Sequence, residues 1–314
     1  MRKSTRSYIR SAIKLKWSVI ALLSVGSLFF FACTPDGPVI EDWDEYIADY
    51  KSWQEQRLDR LKTETGWLNL AGLFWLREGE NSIGSDTSNS IIFPEKFEEH
   101  AGVITLRDSL VHFNPVTGIE VLSDGEAFQP GLLYHDQQEN TTQISMGSFR
   151  WYIIKRGERY GIRLRDLEHP RLEELDHIPS YPFKKEWVVV ADYMKYDTLR
   201  TLKVPTVIED FFEEYEVPGE MVFKWKGKKQ TLLPFKSRSG FFLIVGDASN
   251  GVDTYGAGRF MYAGPPVNGK VILDFNRAYN PPCAFSPFAT CPIPPLENIL
   301  DISIDAGEKA VHLE

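Results

Sequence analysis

Residues 149–165 read FRWYIIKRGERYGIRLR, and they contain the clearest structural signal in the chain. Aromatic and β-branched residues fill two runs, at 149–155 and 159–165, and Gly157-Glu158 separates them. Two such runs on either side of a short turn with glycine predict a β-hairpin.

Arg163 and Arg165 alternate with Ile162 and Leu164 in the second run, so both arginines lie on one face of its strand. Arginine is usually exposed, which favours a solvated edge. The alternative is a clamp for an anion, since guanidinium groups bind carboxylate and phosphate.

Short apolar runs between turns continue on both sides of the hairpin and predict a mostly β chain. Strands are predicted upstream at 67–76, 91–93, 103–107, 111–114, 120–122 and 132–134. Downstream they are predicted at 187–193, 199–204, 221–226, 230–233, 241–245, 259–262 and 270–275, with a last one at 301–305. This spacing is typical of antiparallel sandwiches and barrels rather than of alternating strands and helices.

Residues 168–183 interrupt the strand pattern. Three prolines lie there, around one predicted helical turn at 172–175. Because proline lacks a backbone donor, it is poorly suited to the interior of a sheet. We therefore predict an internal boundary, with a helix and a β-sandwich at 41–175 and a second antiparallel β unit at 176–314.

Residues 41–62 predict one amphipathic helix ahead of the strands. Aromatic and aliphatic residues recur at helical spacing, with acidic residues in the first turn and basic residues in the last. That order of charges complements the helix dipole. We expect the aromatic stripe to pack on the core rather than to face a ligand.

Residues 1–32 have the composition of a secretory signal peptide. Six basic residues and no acidic one precede or flank an uncharged run at 17–32, which ends in Phe30-Phe31-Ala32-Cys33. This ending resembles a lipobox, in which the cysteine is acylated and becomes the new N-terminus. An uncleaved membrane anchor is the alternative. With either of them, the rest of the chain is exported. We predict a lipoprotein signal at 1–32, acylation of Cys33, a tether at 33–40 and attachment to a bacterial membrane.

The charge of the remaining chain excludes some partners. Of 314 residues, 43% are hydrophobic and 25% charged, which is ordinary globular composition and excludes long disorder or collagen. Residues 33–314 keep 29 of the 35 basic residues and all 44 acidic ones, a net charge of −15. An acidic surface repels phosphate backbones, so we expect no nucleic-acid partner.

Residues 81–125 resemble the opening of a forkhead-associated domain, a β-sandwich that reads phosphopeptides. The resemblance rests on Gly84-Ser85-Asp86 and on His100, which follows in the next loop. In that family an arginine stands where this chain has Ser85, and Glu98 and Glu99 replace a Ser-Arg pair. Phosphate capture needs cationic donors. The resemblance thus implies the sandwich, and we predict no phosphopeptide binding.

Residues 274–283 form the candidate site. Asp274, Asn276, Tyr279 and Asn280 place several hydrogen-bonding groups on a loop that two prolines stiffen. Asp274 either caps the turn after it or acts as a general base beside Glu308 or Asp247.

Two further residues complete the predicted ligand-binding set. Arg259 follows a glycine in an apolar strand, and a partly buried arginine needs an acidic partner, for which Asp274 is the candidate. Tyr255 would stack on a sugar or another ring.

Cys283 and Cys291 remain once Cys33 is assigned to the lipid. In an oxidising compartment they form either one disulfide or two reduced, buried thiols. No histidine has a spacing to Cys283 that indicates a catalytic pair, and no zinc motif, P-loop, nucleophile elbow or dinucleotide fingerprint occurs. We therefore predict no metal and no cofactor.

The sequence also resembles the bacterial domain-of-unknown-function family 1684. The resemblance rests on residues 254–309, with 67–86 upstream, and its most specific part is Asp274-Phe275-Asn276-Arg277-Ala278-Tyr279-Asn280-Pro281-Pro282-Cys283-Ala284-Phe285. The resemblance is expected to cover nearly the whole chain after the signal peptide. It implies no activity.

Three classes of function follow from these observations. The first is a lipid-anchored binding protein of the cell envelope with a small or glycan-like ligand. The second is an envelope hydrolase or transferase that uses Asp274, Asn276 and Arg259. The third is a structural envelope protein without a ligand.

Overall fold

The computed structural model describes residues 39–313, and an N-terminal helix precedes all of its strands. Helix α1 spans Trp43–Lys62. Its N-cap is Asp42, whose Oδ1 accepts hydrogen bonds from the backbone N–H groups of Asp44 and Glu45 at 2.8 and 3.1 Å. The predicted helix is confirmed, while the signal peptide, Cys33 and most of the tether lie outside the described residues.

The first half of the body holds eleven strands. They are β1 (Leu70–Trp75), β2 (Gly79–Gly84), β3 (Ile91–Ile92), β4 (Gly102–Arg107), β5 (Leu110–Pro115), β6 (Leu122–Ser123), β7 (Glu126–Ala127), β8 (Gly131–Leu133), β9 (Ile144–Met146), β10 (Phe149–Arg156) and β11 (Arg159–Asp166). They build a six-stranded sheet, β1-β11-β10-β9-β6-β7, and a five-stranded sheet, β3-β2-β4-β5-β8. Both sheets pack into one core, in which Ile83, Phe113, Trp151 and Ile162 are buried.

The hairpin of β10 and β11 lies in the middle of this core. β10 and β11 pair antiparallel from Phe149–Asp166 to Arg156–Arg159, so Gly157 and Glu158 form the turn as predicted. Pairing is antiparallel throughout the first half except between β2 and β3, which are parallel on either side of the Gly84-Ser85-Asp86 turn.

The second half holds the remaining strands and a short helix. They are α2 (Arg171–Glu174), β12 (Val188–Pro205), β13 (Phe212–Trp225), β14 (Lys228–Leu232), β15 (Phe235–Ser237), β16 (Gly240–Val245), β17 (Arg259–Ala263) and β18 (Lys270–Asp274). They form the sheets β14-β13-β12-β18 and β15-β16-β17. Four 3-10 turns, at Lys185–Trp187, Phe275–Arg277, Pro282–Ala284 and Leu296–Asn298, connect or follow them. The mostly β fold is confirmed.

Two predictions about the second half are wrong. Strands predicted at 187–193 and 199–204 are one long strand, β12, whose pairing with β13 shifts register between Lys195 and Arg200. A bulge keeps such a strand continuous where the sequence pattern breaks. The last strand, at 301–305, does not form, because this segment makes separate hydrogen bonds to the 246–248 loop instead of a ladder.

No described sheet contains strands from both sides of residues 168–183. Contacts between the halves nevertheless group the described residues, 39–313, into a single compact unit. The predicted domain boundary therefore stays a prediction.

Candidate functional site

Asp274 ends β18 and fixes the turn that follows it. Its Oδ1 accepts hydrogen bonds from the backbone N–H and the side-chain Nδ2 of Asn276, at 3.0 and 2.9 Å. Its Oδ2 accepts one from the Tyr46 hydroxyl at 2.9 Å and lies 3.3 Å from Nε of Arg277. Burial, and next the Asp274 charge, raises the pKa of Tyr46. Of the two predicted roles for Asp274, the geometry is that of the cap.

Asn276 and Asn280 are fully buried, and the side chains of both form hydrogen bonds with backbone groups. Asn276 accepts from the N–H of Lys184 through Oδ1 and donates to its carbonyl through Nδ2, at 2.9 and 3.0 Å. Asn280 donates through Nδ2 to the carbonyl of Lys309 at 2.7 Å. Both amides therefore hold neighbouring chain segments together and present little to a ligand.

Arg259 does not pair with Asp274, which corrects the prediction. Its Nη2 lies 2.8 Å from Oδ2 of Asp247, and both side chains are 1% exposed. Its Nη groups also donate to the carbonyls of Ile304, Ala306 and Glu308. Arg259 is thus a buried side chain that connects Asp247 to the C-terminal segment at 304–308.

Glu308 forms a second buried ion pair beside this loop. Its Oε1 lies 3.2 Å from Nε of Arg57 on α1, and its Oε2 accepts from the N–H of Asn280 at 2.7 Å. Burial raises the pKa of Glu308, and the Arg57 charge opposes the rise. The sequence indicates Glu308 only as a partner of Asp274 and gives no sign of Arg57, because no local pattern links residues so far apart in the chain.

Tyr279 lies where this ion pair meets the surface. The Arg57 guanidinium carbon stands 4.8 Å from the centre of its ring. The Tyr262 ring is nearly parallel to the Tyr279 ring, at 14° and a centroid distance of 6.2 Å. Tyr262 is 58% exposed.

These two tyrosines form one wall of a cleft of about 400 Å³, which we call the aromatic cleft. Its other lining residues come from the end of α1, the turn after it, β16, β17 and the 279–282 loop: Arg57, Arg60, Thr63, Thr65, Gly66, Trp67, Phe242, Phe260 and Pro282. Of the predicted site residues, only Tyr279 lines it.

A second cleft, of about 330 Å³, shares Tyr262 with the first. We call it the Asp274 cleft, since Asp274, Tyr46 and Arg277 form its polar wall. Its apolar lining comes from Ala263, Gly264, Pro265, Val267 and Ile272.

Tyr255 and Cys291 both contact Cys283, at the end of the 279–283 loop. The Tyr255 hydroxyl donates to the carbonyl of Cys283 at 3.1 Å, so its polar end is already used. Cys283 and Cys291 are free thiols, and the N–H of Cys283 donates to Sγ of Cys291 at 3.1 Å. Contact with Cys291 lowers the pKa of Cys283, whereas contact with Cys283 and burial raise the pKa of Cys291.

Arg163 and Arg165 are both buried, so the expectation of a solvated edge is wrong. Arg163 donates to the hydroxyl of Thr290 at 3.3 Å, and Arg165 to Oδ1 of Asn69 at 2.7 Å. Their guanidinium groups stand 5.6 and 5.8 Å from the Trp67 ring. The two arginines connect the first sheet to other parts of the chain. Because both are buried, they do not form an anion-binding clamp at the surface.

Ser85 faces the protein rather than a ligand. Its hydroxyl donates to the carbonyl of Phe97 at 2.9 Å. Glu98 and Glu99 line the open surface beside it. The absence of phosphopeptide binding stays a prediction.

Residues 39–313 contain no cluster of histidine, cysteine and acidic side chains that would hold a metal ion. Within the same range, no helix is both long and apolar enough to cross a membrane.

Two solved structures that match this chain show low overall similarity to it. An uncharacterised protein from Haloarcula marismortui, solved by solution NMR, aligns at 24% identity and a TM-score of 0.36, over 44% of this chain and 78% of that chain. The crystal structure of Rad53 1-466 in complex with AMP-PNP aligns at 8% identity and a TM-score of 0.17, over 69% of this chain and 51% of that chain. Neither overlap supports an argument about function. A search of curated proteins finds no match.

A family model gives the informative comparison. It matches residues 173–309, a region that contains β12 to β18 and the 274–283 loop. The match is shorter than predicted, because it leaves out the first two sheets. Over residues 173–309 the chain resembles the family described as Protein of unknown function (DUF1684).

Proposed function

We propose that this chain is an exported, lipid-anchored binding protein of the bacterial cell envelope with a small or glycan-like ligand. The observation that carries the proposal is the aromatic cleft. Binding sites are concave and mostly apolar, with a few polar groups that orient the ligand, and they have volumes of roughly 300–1,000 Å³. The aromatic cleft, at about 400 Å³, has this size, and its lining combines aromatic rings with hydroxyl and guanidinium groups.

The lining of the aromatic cleft suits a ring-shaped ligand with hydroxyl groups. Tyr262 and Tyr279 offer flat apolar faces with a polar hydroxyl at the end of each ring. Sugar rings have apolar C–H faces and polar edges, so one ligand would use both. The exposed Tyr262 ring loses hydration when a ligand covers it, which favours binding.

The attachment to the membrane rests on residues 1–33 alone. Acylated Cys33 would hold the acidic body at the membrane surface, which the body would not reach by electrostatic attraction to anionic lipid. Replacing the cysteine, as in Cys33→Ser, would abolish incorporation of labelled fatty acid and release the chain from the membrane fraction. Unchanged partitioning without cleavage before Cys33 would favour the uncleaved anchor.

Ligand binding is tested by thermal-shift screening of the full chain against metabolites and envelope glycans, since a ligand that binds the native state raises the melting temperature. A hit should disappear in Tyr262→Ala and persist in Tyr134→Ala, because Tyr134 is a comparably exposed tyrosine, at 45%, outside both clefts. No hit from any class would favour a structural envelope protein. A hit that Tyr262→Ala leaves unchanged would move the site away from the aromatic cleft.

The hydrolase or transferase alternative has less support. Asp274 and Asn276 bond to each other and to the turn, and Arg259 is 1% exposed and paired with Asp247. A catalytic group must reach the reacting atoms of its substrate. Neither Asn276 nor Arg259 reaches an open cleft.

A further inference from the structure

We infer that the ligand is an acidic saccharide of more than two sugar units, which lies along Tyr262 from the aromatic cleft into the Asp274 cleft. This inference rests on the proposed function and adds the ligand's charge and its length. One acidic group would lie in the aromatic cleft, and the rest of the ligand would extend into the Asp274 cleft.

The aromatic cleft is a positive site on an acidic protein. Arg57 and Arg60 line it, and none of its lining residues carries a carboxylate. Glu308 neutralises Arg57 from the buried side. Arg60 is exposed, and no carboxylate within residues 39–313 lies at ion-pair distance from it. The cleft therefore has one uncompensated guanidinium at its mouth.

The acidic body does not cancel this local charge. Residues 33–314 have a net charge of −15, which repels an anion at long range. At physiological ionic strength, however, charges separated by more than about 8 Å are largely screened. A carboxylate in contact with Arg60 would thus be bound mainly by that guanidinium, whose planar fork matches the two carboxylate oxygens.

The second cleft has a different charge. Arg277 lies 2.6 Å from Asp49 and 3.3 Å from Asp274, so its charge is balanced within the protein. The opposite lining, from Ala263 to Val267, is uncharged. This surface offers no uncompensated positive charge to the ligand, so a preference for acidic saccharides would come from Arg60 in the aromatic cleft.

Tyr262 joins the two clefts, because its side chain lines both. It projects from β17 with more than half of its surface exposed, and the nearly parallel Tyr279 ring extends the same wall. A ligand that fills only one cleft would leave part of this tyrosine surface in water. A longer ligand would cover it, and each additional stacked ring would increase the affinity.

The charge of the ligand is tested by titration calorimetry of the full chain with tetragalacturonate and with the neutral cellotetraose. We expect tetragalacturonate to bind at least about tenfold more tightly, the effect of one charge-assisted contact. Arg60→Gln should remove this difference. The control is Lys62→Gln, which removes a charge from the same helix turn but outside the cleft and should change affinity less than about twofold.

The length of the ligand is tested with digalacturonate and with Val267→Trp. Val267 is about half exposed, so a larger side chain there would fill the Asp274 cleft without disturbing the core. Wild type should bind the tetramer more tightly than the dimer, and Val267→Trp should bind both equally.

Four outcomes would overturn the inference. Equal affinity for the acidic and neutral tetramers would exclude the acidic ligand, while saccharide binding itself would stand. Retention of the acidic preference in Arg60→Gln would remove Arg60 from the site. Equal affinity for dimer and tetramer in wild type would exclude the two-cleft arrangement. Failure of all three saccharides to bind, with a thermal-shift hit from another ligand class, would overturn the inference and leave the proposed function intact.

Discussion

Removal of the acidic partner from the buried pair of Asp247 and Arg259 should strongly destabilise the fold, and Asp247→Asn tests this. The substitution keeps the size of the side chain and removes its charge. Oδ2 would lose the 2.8 Å ion pair with Arg259, while Arg259 would keep its bonds to three backbone carbonyls. The guanidinium would then be a buried charge without an anionic partner, because both side chains are 1% exposed.

The magnitude follows from this burial. Removing one partner of a buried ion pair usually costs about 3–5 kcal/mol, because the remaining charge stays desolvated. The other carboxylate oxygen, Oδ1, accepts from the N–H of Ser249 at 2.9 Å and of Ile304 at 3.1 Å, and the amide oxygen can keep these bonds. We therefore expect the free energy of unfolding to fall by about 3–5 kcal/mol.

Urea denaturation followed by tryptophan fluorescence measures this change. With a slope of about 3 kcal/mol per molar urea, the midpoint should fall by about 1–1.7 M. Glu214→Gln is the matched control: Glu214 pairs with Lys203 at 3.7 Å, and both side chains are well exposed, so the expected loss is below about 1 kcal/mol. If Asp247→Asn unfolds like this control, the structural role of Arg259 is wrong. Loss of ligand binding with unchanged stability would return Arg259 to the candidate site.

Three further predictions concern other parts of the body. Burial acts to raise the pKa of Asp166, but hydrogen bonds from Lys96 and other donors lower this pKa overall. The carboxylate therefore stabilises the fold above the ordinary pKa of 3.8, and this stabilisation is lost as the pH falls through the lower folded-state pKa. Asp166→Asn should thus lower the melting temperature at pH 7 and have less effect near pH 2; an equal effect at both would contradict this. Gly307→Ala should destabilise the chain by more than about 1 kcal/mol, since φ is +77° and an added Cβ would lie 2.4 Å from a backbone oxygen; a melting temperature equal to wild type would refute it. Native alkylation followed by mass spectrometry should modify the partly exposed Cys283 before the buried Cys291. The reverse order would contradict this difference in exposure, and no modification until reduction would contradict the two free thiols.

The site shows why residue type alone did not identify the cleft. Asn276, Asn280 and Arg259 are strong hydrogen-bonding groups, but the fold uses all three to connect backbone segments. The sequence does not distinguish a polar side chain that binds a ligand from one that forms hydrogen bonds with buried backbone groups, because both roles use the same donor and acceptor atoms. Only Tyr279 of the predicted residues reaches the aromatic cleft.

Local patterns in the sequence determined the helix, most strands and the hairpin at Gly157-Glu158, because these depend on neighbouring residues and on side-chain periodicity. They also determined the resemblance over residues 173–309. Only the tertiary structure decided that Arg259 pairs with Asp247, that Arg57 pairs with Glu308, and that Tyr262 lies between two clefts. These contacts depend on how distant segments pack. The burial of each ion pair and the exposure of Tyr262 therefore exist only in the folded chain.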